Sequence, residues 1–526
     1  NSINYSLSFI NLLRFPTPLL DSKKKTETLV LISVALSNVH SGDAFIQQIN
    51  IAPSSNVTFN VTNVSSDASF IIAQVHAYEY NVTLSYDRDH LHKVSNRSVF
   101  GSNIGLFVKP GTVITTQLFL RNDNVHHVDA LLVVIPYTAN APIPGGCNME
   151  FNTEIAPYAK VSVRDGMVVV DVQPSSVPSN GNSTCEKNPV QHDMYQLYLT
   201  SQQFDLDSYF TAIINMLTVD DIVQNGREVL AVSNADLFSR MRRFFSAYTG
   251  TGSVYVTVAS YGGYSAAYVP TFSYACSPLV DPESCQVLSE IFPKLVCAGC
   301  FFLGVLAVFK GNALYPGDMA VPILFTSTVI NYAVTVAITN IAIALGLGLI
   351  FTLLWGACYK GLQVVAIGLF SLTLGFFISS VVYFQSPGTH SFTILESDWI
   401  FWMLFIAIGI VSSFAIALLS VVTPVIACAI FSSYMIVLPI DYYAGSSLKY
   451  IIINVVRRVT VSGFNQAVIH PPTQTKDVCL IGLWVLLALY RFMKQWIAGV
   501  TILSPMRSGT DRTPLIASRF MGGVDI

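Results

Sequence analysis

Trp399–Ile440 reads WIFWMLFIAIGIVSSFAIALLSVVTPVIACAIFSSYMIVLPI. Its apolar run is interrupted only near Ser420–Pro424, which divides it into Trp399–Leu419 and Val421–Ile440. Crossing the hydrocarbon of a bilayer takes about 20 apolar residues in a helix, so each half reads as one span. Five further runs repeat the pattern: Ile291–Phe309, Met319–Ile338, Ile341–Cys358, Leu362–Phe384 and Val478–Tyr490. The second and third of the seven are nearly continuous, with Thr339-Asn340 as the hairpin tip. Val478–Tyr490 is the shortest and needs Lys476 and Arg491 to snorkel from its ends, so the reading admits six spans or seven.

The whole composition agrees. Of 526 residues, 52% are hydrophobic and only 11% charged, against about 25% charged in soluble domains, so much of the surface faces lipid. A net charge of -3 gives no basic footprint for nucleic acid. The lipid bilayer is the first partner that composition implies.

Polar marks lie on the other side of the chain. Glycosylation acceptors of the form Asn-X-Ser/Thr occur at Asn4, Asn56, Asn60, Asn63, Asn81, Asn96 and Asn182, all before the first apolar run. That asymmetry places the N-terminal half in a lumenal or extracellular compartment. Cys147, Cys185, Cys276 and Cys285 also precede the membrane region, an even number suited to two disulfides with three possible connectivities. Cys147 with Cys185 and Cys276 with Cys285 is the favoured pairing. Cys297, Cys300, Cys358, Cys428 and Cys479 sit in or beside apolar runs and read as small hydrophobes.

Lys23-Lys24-Lys25 followed by Leu29–Leu36 has the basic-then-apolar order of a signal peptide, with small residues near Ser41-Gly42 for cleavage. Residues 1–42 are therefore expected to form a signal region, leaving Asn4 unmodified. From 43 to 287, β-branched and aromatic runs read as strands: Ser69–Val75, Val113–Leu120, Ala130–Tyr137, Met167–Val172 and Ser253–Tyr261. Turn residues bound them, as at Pro144-Gly145-Gly146 and Asn180-Gly181. Helices are expected over Leu206–Leu217 and Ala235–Phe245. The fold class is then a β-rich, sandwich-like extracytoplasmic domain, one sandwich or two joined near residue 155. It precedes a polytopic α-helical membrane domain of about seven helices (288–490) and a cytoplasmic tail (491–526).

With the N-terminus outside, seven spans put Lys310, Lys360, Arg491, Lys494, Arg507, Arg512 and Arg519 inside, and Lys449, Arg457, Arg458 and Lys476 outside. This has the sign of the positive-inside rule. Ser446–Arg458 is amphipathic and is expected along a membrane surface.

Signs of catalysis are scarce. No histidine falls within a span, and Asp441 stands alone at the end of the sixth, where it reads as an interface residue. Gly361, Gly368 and Gly375, with Gly348, Thr352 and Gly356, read as helix-packing seams. Asp87, Asp89, His90 and His92, and His126, His127 and Asp129, cluster but read as solvated loops rather than metal ligands. No nucleophile elbow or phosphate loop occurs. No enzyme activity, cofactor or metal is expected. In the tail, Asp511, Leu515 and Ile516 fit an acidic dileucine sorting signal that coat adaptors read, which suits plasma and endolysosomal membranes.

Several stretches resemble the transmembrane 7 superfamily member 3 family. They are Pro142–Phe151, Ala266–Pro270 with Tyr274–Cys276 and Ser284-Cys285, Ser446–Ile451 with Asn454–Arg458, and Arg512–Ile516. The resemblance runs from about residue 55 to the tail; the chain departs from the family at its N-terminus and has a shorter tail. It implies seven spans, a signal peptide and a glycosylated ectodomain. It also implies a survival role, restraining endoplasmic-reticulum stress and cytokine-induced death, with a part in insulin secretion in animals that have it. No catalytic residues carry over. The leading reading is a non-enzymatic regulator acting on unknown proteins through its ectodomain. The alternatives are a seven-helix receptor, or a transport or cargo-trafficking protein.

Overall fold

A computed structural model describes residues 29–36, 39–91, 97–109, 115–147, 159–178, 185, 189–229, 241–279, 281–286, 291–314, 320–335, 341–361, 363–385, 396–419 and 422–497. The N-terminal half forms two β-sandwiches. In the first, one sheet has the order β1 (Leu29–Ala35), β3 (Ser55–Thr62), β8 (Thr115–Asn122), β5 (Val82–Ser85), β6 (Ser98–Gly101). The other has the order β2 (Phe45–Ile51), β9 (Val128–Thr138), β4 (Ala68–Ala77), β7 (Asn103–Val108). Alternate residues fill the space between them, with Val57, Phe59 and Val61 facing Ala73, Val75, Leu132 and Val134.

The sheet carrying β4 and β9 is buried on both faces. Phe70, Ile72, Leu131, Val133, Ile135 and Tyr137 point away from the first core and join a second one. That core is shared with Val254, Val256 and Val258 of the next sandwich and with α1 (Leu206–Ile214) and α2 (Val219–Asn225). This double burial explains why both strands are almost continuously apolar, as central strands of covered sheets are.

The second sandwich has one sheet in the order β13 (Arg227–Val229), β12 (Gln191–Tyr198), β15 (Ser253–Tyr261), β16 (Tyr264–Ala267), with β17 (Thr271–Ser273) also on β15. Its other sheet runs β10 (Ala159–Arg164), β11 (Met167–Val172), β14 (Met241–Ser246), β18 (Ala467–Val468). Two disulfides, Cys147–Cys185 and Cys276–Cys285, have Cα separations of 5.7 and 5.0 Å and match the favoured pairing.

Helices occupy all seven expected apolar positions: α3 (Ile291–Leu314), α4 (Ala320–Thr335), α5 (Ile341–Gly361), α6 (Gln363–Gln385), α7 (Asp398–Ala417), α8 (Thr423–Ala444) and α10 (Thr475–Ile497). Among the described residues, Ile367–Gln385, Asp398–Ala417 and Thr423–Ala444 are long and apolar enough to cross a membrane. Shorter apolar stretches are Ala320–Asn331 and Ile343–Ala357. Helix α8 is central: Ala427, Cys428, Phe431, Tyr434 and Val437 are buried against α3, α4, α6 and α10. Helix α7 leaves Trp399, Met403, Ile406, Ile410, Val411 and Phe414 exposed.

Three expectations change. Met241–Phe245, expected within a helix over Ala235–Phe245, lies in strand β14 (Met241–Ser246). Met241 and Phe245 stand four apart, as on a helix face. Pairing with β11 and the Arg242–Asp171 ion pair, at 2.6 Å across the strands, override that spacing. The join between sandwiches falls before Ile143, whose backbone bridges Ser176, rather than near 155. The amphipathic Ser446–Arg458 stretch becomes α9 (Tyr450–Thr460), wedged between protein layers rather than lying on lipid. Its Tyr450, Ile451 and Ile452 join the helix core, and its polar face meets the second sandwich. Leu29–Ala35, within the region expected to be a signal peptide, pairs in parallel with β3 as an edge strand.

Candidate functional site

Among the described residues, the seam between the second sandwich and the helix bundle brings together several buried polar groups. It is built around two buried carboxylates. Asp441, on the last turn of α8, is fully buried. It accepts hydrogen bonds from the Leu448 and Lys449 amides at 2.9 and 3.0 Å and from Lys449 Nζ at 3.3 Å. The expectation of an isolated Asp441 is thus overturned: it caps the start of α9, where free N–H groups and the helix dipole favour negative charge. Gly445 turns the chain with φ +68° between α8 and α9, a conformation that glycine adopts without a Cβ penalty.

Asp477 does the same for α10. It accepts from Gln474 N at 2.7 Å, the reach-back of a capping box, and from the Ser447 amide and hydroxyl at 2.7 and 2.9 Å. The Ser446 hydroxyl donates to it as well. Together the two carboxylates tie the ends of α8, α9 and α10 to one tight turn.

From that turn, bonds cross to the sandwich. The Tyr198 hydroxyl donates to His470 O at 2.8 Å, and Ser201 N to Gln474 Oε1 at 3.2 Å. Ser246 Oγ donates to Asn454 Oδ1 at 3.0 Å, and Thr249 N to Tyr450 Oη at 2.9 Å. Arg457 Nη1 donates to Ala247 O at 2.8 Å, with its guanidinium 5.3 Å from the Tyr450 ring centre. Strand β18, from the segment between α9 and α10, pairs with β14 through Phe244–Ala467 and Phe245–Val468. On the helix side, Arg458 pairs with Asp398 at 2.9 Å and lies over Phe401. The set joins the second sandwich to the bundle by backbone pairing as well as side chains.

Of the residues singled out from sequence, Asn63 and Asn81 are exposed, Asn60 is half-buried, and Asn56 is buried. Arg121 Nη1 donates to Asn56 Oδ1 at 3.3 Å. Asn96, Asn182, Asp511, Leu515 and Ile516 lie outside the described residues. Asp87 pairs with Arg97 and His90, His127 Nδ1 lies 2.8 Å from Asn50 Oδ1, and Asn50 in turn binds Asp129. Among the described residues no three His, Cys, Asp or Glu side chains gather to hold a metal. Sequence reasoning missed Lys449, Asn454, Arg457 and Asp477 as partners in this seam. Asp477, an acidic residue in the first turn of an apolar helix, was the readable local signal.

The sequence matches three family models: "TM7SF3-like, N-terminal immunoglobulin-like domain" over 37–137, "TM7SF3-like, second immunoglobulin-like domain" over 142–279, and "TM7S3/TM198-like domain" over 295–496. The chain belongs to the transmembrane 7 superfamily member 3 family. Human transmembrane 7 superfamily member 3 is 26% identical over 451 residues, covering 81% of this chain and 77% of that protein. The mouse protein is 26% identical over 452 residues, covering 81% and 78%. This family member is accordingly a membrane protein with two immunoglobulin-like domains, and the boundary at 138–141 agrees with the strand pairing. The strand β1 lies before the N-terminal family domain begins.

Proposed function

We propose that this family member is a multi-pass membrane glycoprotein that regulates cell survival without catalysis. In this reading it restrains endoplasmic-reticulum stress, the unfolded-protein response and cytokine-induced programmed death. Its two immunoglobulin-like domains face away from the cytoplasm and make the protein contacts. What supports the reading is family membership across 37–496, together with a seam that couples the ectodomain to the helices. Deleting the protein in its own cells is expected to raise unfolded-protein signalling and death under stress. Full-length protein should restore survival, and a version without residues 43–287 should not. Unchanged survival after deletion would remove the proposal.

A receptor reading is favoured by one observation, the β14–β18 pairing, because ligand-driven motion of the second domain would reach α9 and α10 directly. Under that reading, a tether that preserves the ectodomain but cuts it from the helices abolishes the response to ligand.

Glycan mapping tests the orientation. Glycosidase treatment is expected to lower the apparent mass. Asn63→Gln and Asn81→Gln should each remove one step, because both asparagines are exposed. Asn56→Gln should leave the mass unchanged, since a glycan there would have to displace Arg121 and the β1–β3 pairing. A protein whose mass does not respond to glycosidase would place the ectodomain in the cytoplasm.

A further inference from the structure

At the joint between the two immunoglobulin-like domains, on the edge of their shared core, lies a cleft of about 230 Å³. The first domain contributes Tyr78, Glu79 and Asn103; the second contributes Tyr209, Phe272 and Tyr274. Four of these are aromatic and form a continuous wall. Tyr78 and Tyr209 are 5.4 Å apart between ring centres, Tyr209 and Phe272 4.9 Å at 88°, and Phe272 and Tyr274 4.6 Å at 82°. Phe204 closes the row 5.0 Å from Tyr274. Edge-to-face contacts hold the rings in place, so the wall is preformed.

Three features separate this wall from ordinary core packing. The first is an acidic group: Glu79 lines the cleft, and burial raises its carboxyl above the usual carboxylate range. The negative charge of Asp205 is felt at both Tyr78 and Tyr274, and among the described residues no Lys, Arg or His lines the cleft. The second is conformation. Glu79 has φ +66°, a left-handed geometry that costs a non-glycine residue about 1 kcal/mol or more and that collects at ligand sites. The third is an orphan. Tyr274 is only 7% exposed, and its hydroxyl has no hydrogen-bond partner among the described residues. By contrast, the Tyr78 hydroxyl donates to Phe204 O, and the Tyr209 hydroxyl to Asn103 Oδ1 at 2.8 Å. A buried hydroxyl left unmatched is costly unless a ligand supplies the match.

We propose that this interdomain cleft is a binding site for a primary alkylammonium group. Ring faces attract a cation through their quadrupoles, and the Glu79 carboxylate supplies the opposing charge. The N–H bonds of a primary ammonium also give Tyr274 Oη a donor, which a quaternary ammonium cannot do. The same chemistry is presented by a free amine and by a lysine side chain of a protein partner. Occupancy would pin the angle between the two domains, because the walls come from both. The inference does not depend on the survival reading, and failure of either leaves the other standing.

The test is calorimetric titration of the purified full-length protein in nanodiscs. The probes are n-butylammonium, tetramethylammonium, uncharged n-pentanol and the peptide Gly-Lys-Gly. Saturable n-butylammonium binding is expected, weakened at least tenfold by Glu79→Gln and severalfold by Tyr274→Phe. Tyr274→Phe should leave tetramethylammonium binding, already weaker, unchanged. Tyr274→Phe removes one buried atom with no partner, so it keeps the test informative if Glu79→Gln fails to fold. Gly-Lys-Gly binding at least tenfold tighter than n-butylammonium identifies a lysine as the source; equal or weaker binding identifies a free amine. No saturable binding to the wild-type protein, equal binding of n-pentanol, or binding indifferent to both substitutions would overturn the proposal.

Discussion

Asp441→Ala is expected to collapse the seam between the second sandwich and the helices. The substitution leaves the Lys449 ammonium, 9% exposed, without its carboxylate, and strips the acceptor from two amides at the start of α9. Breaking a buried pair by removing one partner costs about 3–5 kcal/mol, a large share of the ~5–15 kcal/mol by which domains are stable. The loss falls where α8, α9 and the second sandwich meet, so it should cut the yield of detergent-stable protein and lower the melting temperature of what remains. Pairing Asp441→Leu with Lys449→Met removes both charges and should recover the part of the loss due to the lone ammonium, but not the part due to the two amides left without an acceptor. A single Asp441→Ala variant that melts with the wild type would show that the carboxylate does not hold the seam.

Gly375→Val should be nearly as damaging, and by a different route. Helices α6 and α7 touch backbone to backbone there: a Cβ on Gly375 would overlap Ser413 Oγ and the carbonyl oxygen of Gly409. The Ser379 hydroxyl donates to Phe405 O at 3.0 Å in the same contact. Overpacking of this kind costs about 1–3 kcal/mol, and more where backbones must part. Gly368 lies two turns away in the same sequence pattern, but a Cβ there meets nothing within 4 Å. Gly368→Val should therefore be tolerated. Equal loss of thermostability in the two variants would refute the packing account.

The contrast between these glycines shows how far the sequence could be read. The seven-residue spacing of Gly361, Gly368 and Gly375 predicts a seam but not which glycine touches a neighbour, because the helix facing each one is set by tertiary packing. Gly304, outside both patterns, is close-packed on α8, with a Cβ position 3.0 Å from Ser432 O. Strands with strong local preference were legible to the residue, as for Met167–Val172 and Ser253–Tyr261. Those set by distant partners were not. Met241–Ser246 carries helix-like spacing, and β18 is two residues long, so neither has a local signature. Asp441 and Lys449 lie eight residues apart across a turn, and their pairing emerges only once the turn is built. The interdomain cleft gathers Glu79, Tyr209 and Tyr274 from distant parts of the chain, and nothing at any one position announces it.

The pairing of β14 with β18 also sets a timetable. Phe244 and Phe245 wait for Ala467 and Val468, which leave the ribosome more than two hundred residues later. At synthesis rates of about 5–20 residues per second, that gap lasts roughly 10–45 s. Through that interval the edge of β14 is open to unintended pairing, the exposure that makes unfinished sheets prone to aggregate. The second immunoglobulin-like domain is therefore completed only after six of the seven long helices have been made. Its maturation reports on the biogenesis of the helix bundle.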